Sequence, residues 1–137
     1  MSKYLALFLM LAFFVAGCGQ GYVERTEQFS KRVKGVVNPD ELQAWATNVI
    51  ATTPAKRGDT SVNPKATGFP KGLLSLFDYP PDVWVARNDG DAYVVICYGS
   101  GMGHIGLYVG DKSFRTESDQ QIYVVQWQPG VYFCDGP

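Results

Sequence analysis

The chain is poor in the residues that carry most recognisable chemistry. It has one histidine, His104, and three cysteines, Cys18, Cys97 and Cys134, among 137 residues. No two cysteines stand in a close CxxC spacing, so neither a zinc site nor a dithiol redox motif is expected. Charge is scarce too. Asp, Glu, Lys and Arg make up 18% of the residues and the formal net charge is −1. A nucleic-acid binder would show a clustered basic face, which is absent, so no nucleic-acid partner is expected. No Gly-Lys-Ser/Thr phosphate loop occurs. Asp89-Gly90-Asp91 begins like a calcium loop but lacks the remaining ligands. Ser100 sits in Gly-Ser-Gly, not in the Gly-x-Ser-x-Gly of a nucleophile elbow. Neither a metal nor a cofactor is expected.

An apolar run long enough to span a bilayer is also missing. The longest, Tyr4 to Ala16, has about thirteen residues, and a spanning helix needs roughly 18 or more. It has no polar face, so it is not an amphipathic surface helix either. What it does have is a secretory layout: Lys3 before the run, and small residues, Ala16-Gly17, after it. The junction Val15-Ala16-Gly17-Cys18 resembles the lipobox of bacterial lipoproteins. The resemblance implies cleavage of a 1–17 signal peptide, diacylation of the Cys18 thiol, and a domain held to a membrane by lipid. Two chains meet the requirement for stable anchoring, at about 0.8 kcal/mol per buried methylene. Gly19 stands where an aspartate would mark inner-membrane retention in enterobacterial lipoproteins, so the outer membrane is the expected site if the host has one.

Loss of Lys3 with the signal peptide leaves 11 basic and 13 acidic residues, a net charge near −2. The abundant aromatics argue against disorder. Residues 18–37 carry mixed charge and few large apolar side chains. They read as a polar, partly helical tether from Cys18, leaving a single domain over 38–137. Asn38-Pro39-Asp40-Glu41 starts a helix, with a cap, a first-turn proline and acids at the positive end of the dipole. Leu42, Trp45, Ala46, Val49 and Ile50 continue it as one apolar stripe. Ala51 to Gly68, with two prolines and two glycines, reads as a long surface loop. The Arg57-Gly58-Asp59 within it, a tripeptide that integrins read, is taken as turn sequence. Pro70 to Asp78 reads as a short helical turn.

From Asp82 the apolar period becomes two. Asp89-Gly90 between apolar runs predicts a hairpin that pairs Arg87 with Ala92 and Val85 with Val94. Val83, Val85, Val94 and Ile96 then share one face, and Trp84, Ala86, Tyr93, Val95 and Cys97 the other. Both faces are apolar, so both are expected to be partly covered. Further strands are expected at His104 to Val109, Ile122 to Trp127 and Val131 to Cys134, with Pro129-Gly130 as a type II turn. The expected class is α+β: an antiparallel meander of four to five strands with one N-terminal amphipathic helix packed on one face.

Cys97 and Cys134 remain once Cys18 is assigned to lipid. An even pair in an exported domain is a candidate disulfide, worth roughly 3–4 kcal/mol on the chain-entropy model; two buried thiols are the alternative. Trp84, Trp127 and Tyr108 are candidate walls of a sugar or peptide groove, with core packing as the alternative. The segment Gly103-His104-Ile105-Gly106-Leu107-Tyr108-Val109-Gly110-Asp111 is similar to the histidine strand of papain-like cell-wall peptidases of the NlpC type. The resemblance implies that His104 acts as general base toward a cysteine. In that superfamily the cysteine opens a helix, and neither Cys97 nor Cys134 precedes a helical pattern. Register decides whether a Cys97–His104 dyad can exist. If Tyr98 pairs with His104, the two side chains point to opposite faces; if Gly99 does, they are diagonal neighbours on one face.

The leading expectation is therefore a non-enzymatic, lipid-anchored interaction or structural module of the cell envelope. Its partners would be the membrane, through the anchor, and an envelope protein or cell-wall component. Its contact surface is expected at the glycine-rich loop Gly99, Ser100, Gly101, Met102, Gly103 and His104. The alternative is a cysteine-dependent cell-wall hydrolase or amidase using Cys97 and His104.

Overall fold

A computed structural model describes residues 21–99, 104–118 and 122–136. The signal peptide, Cys18, and Ser100 to Gly103 of the expected contact loop lie outside the described residues. Among the described residues, three helices and one antiparallel sheet of six strands make an α+β domain.

Helix α1 is described over 21–34. Its inward stripe is sparse: Thr26, Phe29 and Val33 are buried, followed by Val37 beyond the helix end. That spacing of three and four keeps the side chains on one helical face. Phe29 sits edge-on to Tyr98 and Phe133, at 5.7 and 6.0 Å between ring centroids. The tether expected over 18–37 is thus corrected for its described part: residues 21–37 belong to the packed domain. Two large apolar residues, Phe29 and Val33, suffice because the sheet supplies their aromatic partners.

Helix α2, Pro39–Thr52, starts as expected. The Asn38 side chain accepts a hydrogen bond from the Asp40 amide at 2.8 Å, and Pro39 occupies the first turn. Leu42, Ala46 and Val49 are sealed in the core. Trp45 is buried too, with its ring edge-on to Phe69 at 5.0 Å and its Nε1 donating to the Thr67 carbonyl at 3.2 Å. At the C-terminal end, Arg87 donates to the Ile50 and Thr53 carbonyls at 2.6 and 3.1 Å. A cation there meets the negative end of the helix dipole. Helix α3 is the single turn Lys71–Leu74.

The strands are β1 Gly58–Val62, β2 Asp82–Arg87, β3 Ala92–Tyr98, β4 His104–Val109, β5 Tyr123–Gln128 and β6 Val131–Gly136. The β2–β3 hairpin has the expected register, Arg87 opposite Ala92 and Val85 opposite Val94. Two features differ from the expected meander. Strand β1 lies inside the expected 51–68 loop and pairs with β2 from Gly58↔Arg87 to Val62↔Val83. It is a polar edge strand, so it shows no apolar alternation. The sheet order is β1-β2-β3-β4-β6-β5, so the β5–β6 hairpin folds β6 against β4 and leaves β5 at the edge.

The sheet divides the molecule into two layers of unequal depth. The inner face carries Val83, Val85, Val94, Ile96, Leu107 and Phe133, which form one core with residues of α1, α2 and α3. The outer face carries a smaller cluster of Phe114, Tyr132 and Cys134, with Tyr93, Tyr108, Ile122 and Val124 packed on it. Phe114, from the 110–118 segment, stacks on Tyr93 at 4.5 Å. Among the described residues both faces are therefore covered, the outer one incompletely.

Candidate functional site

The incomplete cover leaves a cavity of about 300 Å³ on the outer face. Its floor follows from strand register. Asp82, Cys97, Gly106, Cys134 and Val124 are successive cross-strand partners on β2, β3, β4, β6 and β5. Partners in one row project to the same face. Gly106, in the middle of the row, carries no side chain and lines the cavity with its backbone. A Cβ there would approach the Ile96 carbonyl oxygen to 2.0 Å, so glycine is required by the close backbone contact. In the neighbouring row, Trp84, Val95 and Tyr108 are partners, and all three line the cavity. Ile122 and His104 also line it.

The β3–β4 register places Tyr98 opposite Ile105. Extended by one step, Gly99 faces His104, the arrangement in which Cys97 and His104 are diagonal neighbours on one face. The Cys97 Sγ lies 3.4 Å from His104 Nδ1. The direction of any hydrogen bond there depends on the imidazole tautomer. Among the described residues no carboxylate bonds the His104 ring, so no group fixes that tautomer in the manner of a triad.

Electrostatics works against a thiolate. Burial pushes the Cys97 thiol above its usual value, and the nearby Asp82 carboxylate adds to the rise. Both disfavour the anion. Cys97 lies within strand β3, so no helix N-terminus points at its sulfur to offset these effects. Burial pushes Cys134 further, up to about 12.

The candidate disulfide is corrected: Cys97 and Cys134 are both free. They flank Gly106 from the strands on either side of β4. Two strand spacings separate their Cα atoms by roughly 10 Å, beyond the ~7 Å that a bridge can span. Trp84 and Tyr108 line the cavity, as a groove would need. Trp127 does not; it stacks on Phe133 of the main core at 5.2 Å. Gly99 ends the β3 side of the hairpin with a φ of +120°. Arg57-Gly58-Asp59 runs into β1 and carries no separate site.

Asp82 is the site residue that strand patterning alone misses. It reads as the start of a strand, and only its pairing with Cys97 brings it to the cavity. Among the described residues no three of His, Cys, Asp and Glu converge as a metal site would require, and no helix is long and apolar enough to cross a membrane. Comparison with known proteins finds no family model, no curated protein and no solved structure that matches the chain.

Proposed function

We propose that this chain is an exported lipoprotein, anchored by lipid on Cys18, whose domain is a non-enzymatic binding module of the cell envelope. The observation that carries the binding role is the cavity over Gly106, which is lined mainly by apolar and aromatic side chains with a few polar groups at its margin. Ligand sites commonly have that composition. The protonated state favoured for Cys97 supports binding over nucleophilic chemistry.

The described start of α1 and the cavity lie toward the same end of the sheet. Arg25, in α1, holds both carboxylate oxygens of Asp135. Asp135 and Gly136 pair with Ile105 and His104 at the start of β4. Gly21 follows Cys18 by three residues, a reach of at most about 11 Å. Lipid on Cys18 would hold this end of the sheet near the membrane surface.

The anchor is tested by Cys18→Ser. Acyl labelling should disappear and the precursor should remain uncleaved. A processed, acylated Cys18→Ser protein would overturn the assignment.

A second reading, a cysteine-dependent cell-wall hydrolase or amidase, is favoured by one observation, the 3.4 Å contact between Cys97 Sγ and His104 Nδ1. The two readings differ in the reactivity of Cys97. Under the binding reading, alkylation of the folded protein is slow near neutral pH, rises only in the alkaline range and does not depend on His104. Under the hydrolase reading, a thiolate paired with imidazolium alkylates fast below pH 7, and His104→Ala abolishes that phase. Rates of Cys97 alkylation against pH, in a Cys134→Ala background with and without His104→Ala, separate them. A fast, His104-dependent acidic phase would replace the binding reading with the enzyme.

A further inference from the structure

We infer that the cavity over Gly106 selects a ligand bearing an organic ammonium group on a short apolar or ring-containing body. The inference rests on the reading of this cavity as a binding site and adds the charge and shape of what enters. Asp82 is the charged side chain on its lining, and no lysine or arginine lines it among the described residues. Asp82 is exposed, and no described side chain hydrogen-bonds or ion-pairs with its carboxylate. The carboxylate is thus available to a cation and repels an anion.

The neighbouring lining strengthens the choice. Trp84 and Tyr108 stand on either side of Val95 in the row next to Asp82 and Cys97. Aromatic faces attract ammonium groups through the ring quadrupole, most strongly for tryptophan. The same faces accept an apolar body, for which the cavity lined by Gly106 gives room. A volume of about 300 Å³ lies at the lower end of small-molecule sites, which limits the body to a ring or a short chain. A free amine and an aminolipid headgroup present the same ammonium, and a lipid on Cys18, three residues before Gly21, would bring either within reach.

The test uses the full-length lipoprotein in neutral detergent and three probes of matched size: phenethylamine, 2-phenylethanol and phenylacetate. Isothermal titration should show phenethylamine binding about tenfold or more tightly than the alcohol, as a carboxylate and a cation–π contact together would give, with phenylacetate weakest. Asp82→Asn should bring the amine's affinity down to about that of the alcohol, a fall much larger than any change in the alcohol's own binding. Vesicles with ethanolamine headgroups that displace phenethylamine, where glycerol-headgroup vesicles do not, assign the lipid as source; displacement by neither assigns a soluble amine. If the alcohol or phenylacetate binds as well as the amine, or if the preference survives Asp82→Asn, the ammonium inference falls and the binding reading stands. If none of the three binds, both fall.

Discussion

A tryptophan removed from water needs both a packing partner for its ring and an acceptor for its indole nitrogen. Trp45 has both, in Phe69 and the Thr67 carbonyl, and both belong to the segment that follows β1. Trp45 therefore pins that segment against α2 as well as filling the core. Truncation to alanine leaves a void and an unpaired carbonyl. Trp45→Ala should destabilise the domain by roughly 3–5 kcal/mol in urea unfolding; a loss below about 1 kcal/mol would mean that the ring packs little. Trp45 was legible in the sequence because it falls on a stripe of period 3.6. Asp82 was not, since a carboxylate at a strand start has no pattern of its own and gains its role from Cys97 across the hairpin. For Cys97 and His104 the sequence left two registers, and the β3–β4 pairing, with Tyr98 opposite Ile105, decided between them.

At the scale of elements, the best-marked pieces were those whose own residues specify them. Asn38 and Pro39 set the start of α2, and Asp89-Gly90 set the β2–β3 register, both by local chemistry. Helix α1 and strand β1 were illegible for opposite reasons. Strand β1 is held by backbone pairing to β2, with polar side chains that signal a loop. Helix α1 is held by a few contacts to distant partners: Phe29 to Tyr98 and Phe133, and Arg25 to a fully buried Asp135 side chain. Removing α1 would expose apolar surface and leave that carboxylate unpaired. A chain beginning at Asn38 should lose the burial of Phe29, Val33 and Val37, roughly 4.5–9 kcal/mol at about 1.5–3 kcal/mol each, which is comparable with the whole stability of such a domain. Thermal unfolding should be cooperative for a chain starting at Gly21 and absent or greatly weakened for one starting at Asn38. Equal midpoints would return 21–37 to the role of tether.

For the molecule as a whole, burial on both faces of one sheet sets how stability responds to pH. Burial raises the thiol of Cys134 to about 12 and pushes up Cys97 and the tyrosines Tyr93 and Tyr98. Each of these groups is neutral when protonated, so a raised value means that the folded state keeps its proton after the unfolded chain has lost it. Unfolding then releases protons, and stability falls as pH rises. The contribution is complete below the unfolded thiol value near 9 and is lost as pH climbs toward the folded value. Tyrosines, with ordinary values near 10, follow at higher pH. Unfolding free energy should therefore vary little with these groups from pH 7 to about 8.5 and drop above pH 9, by up to about 1.4 kcal/mol per pH unit for each group titrating in the unfolded state alone. Cys134→Val keeps the apolar packing and removes one such group, so its slope between pH 9 and 10 should be shallower than that of the parent. An unchanged slope would mean that water reaches Cys134 through the outer layer, and that this layer opens more readily than its packing of Phe114 on Tyr93 and Tyr132 implies.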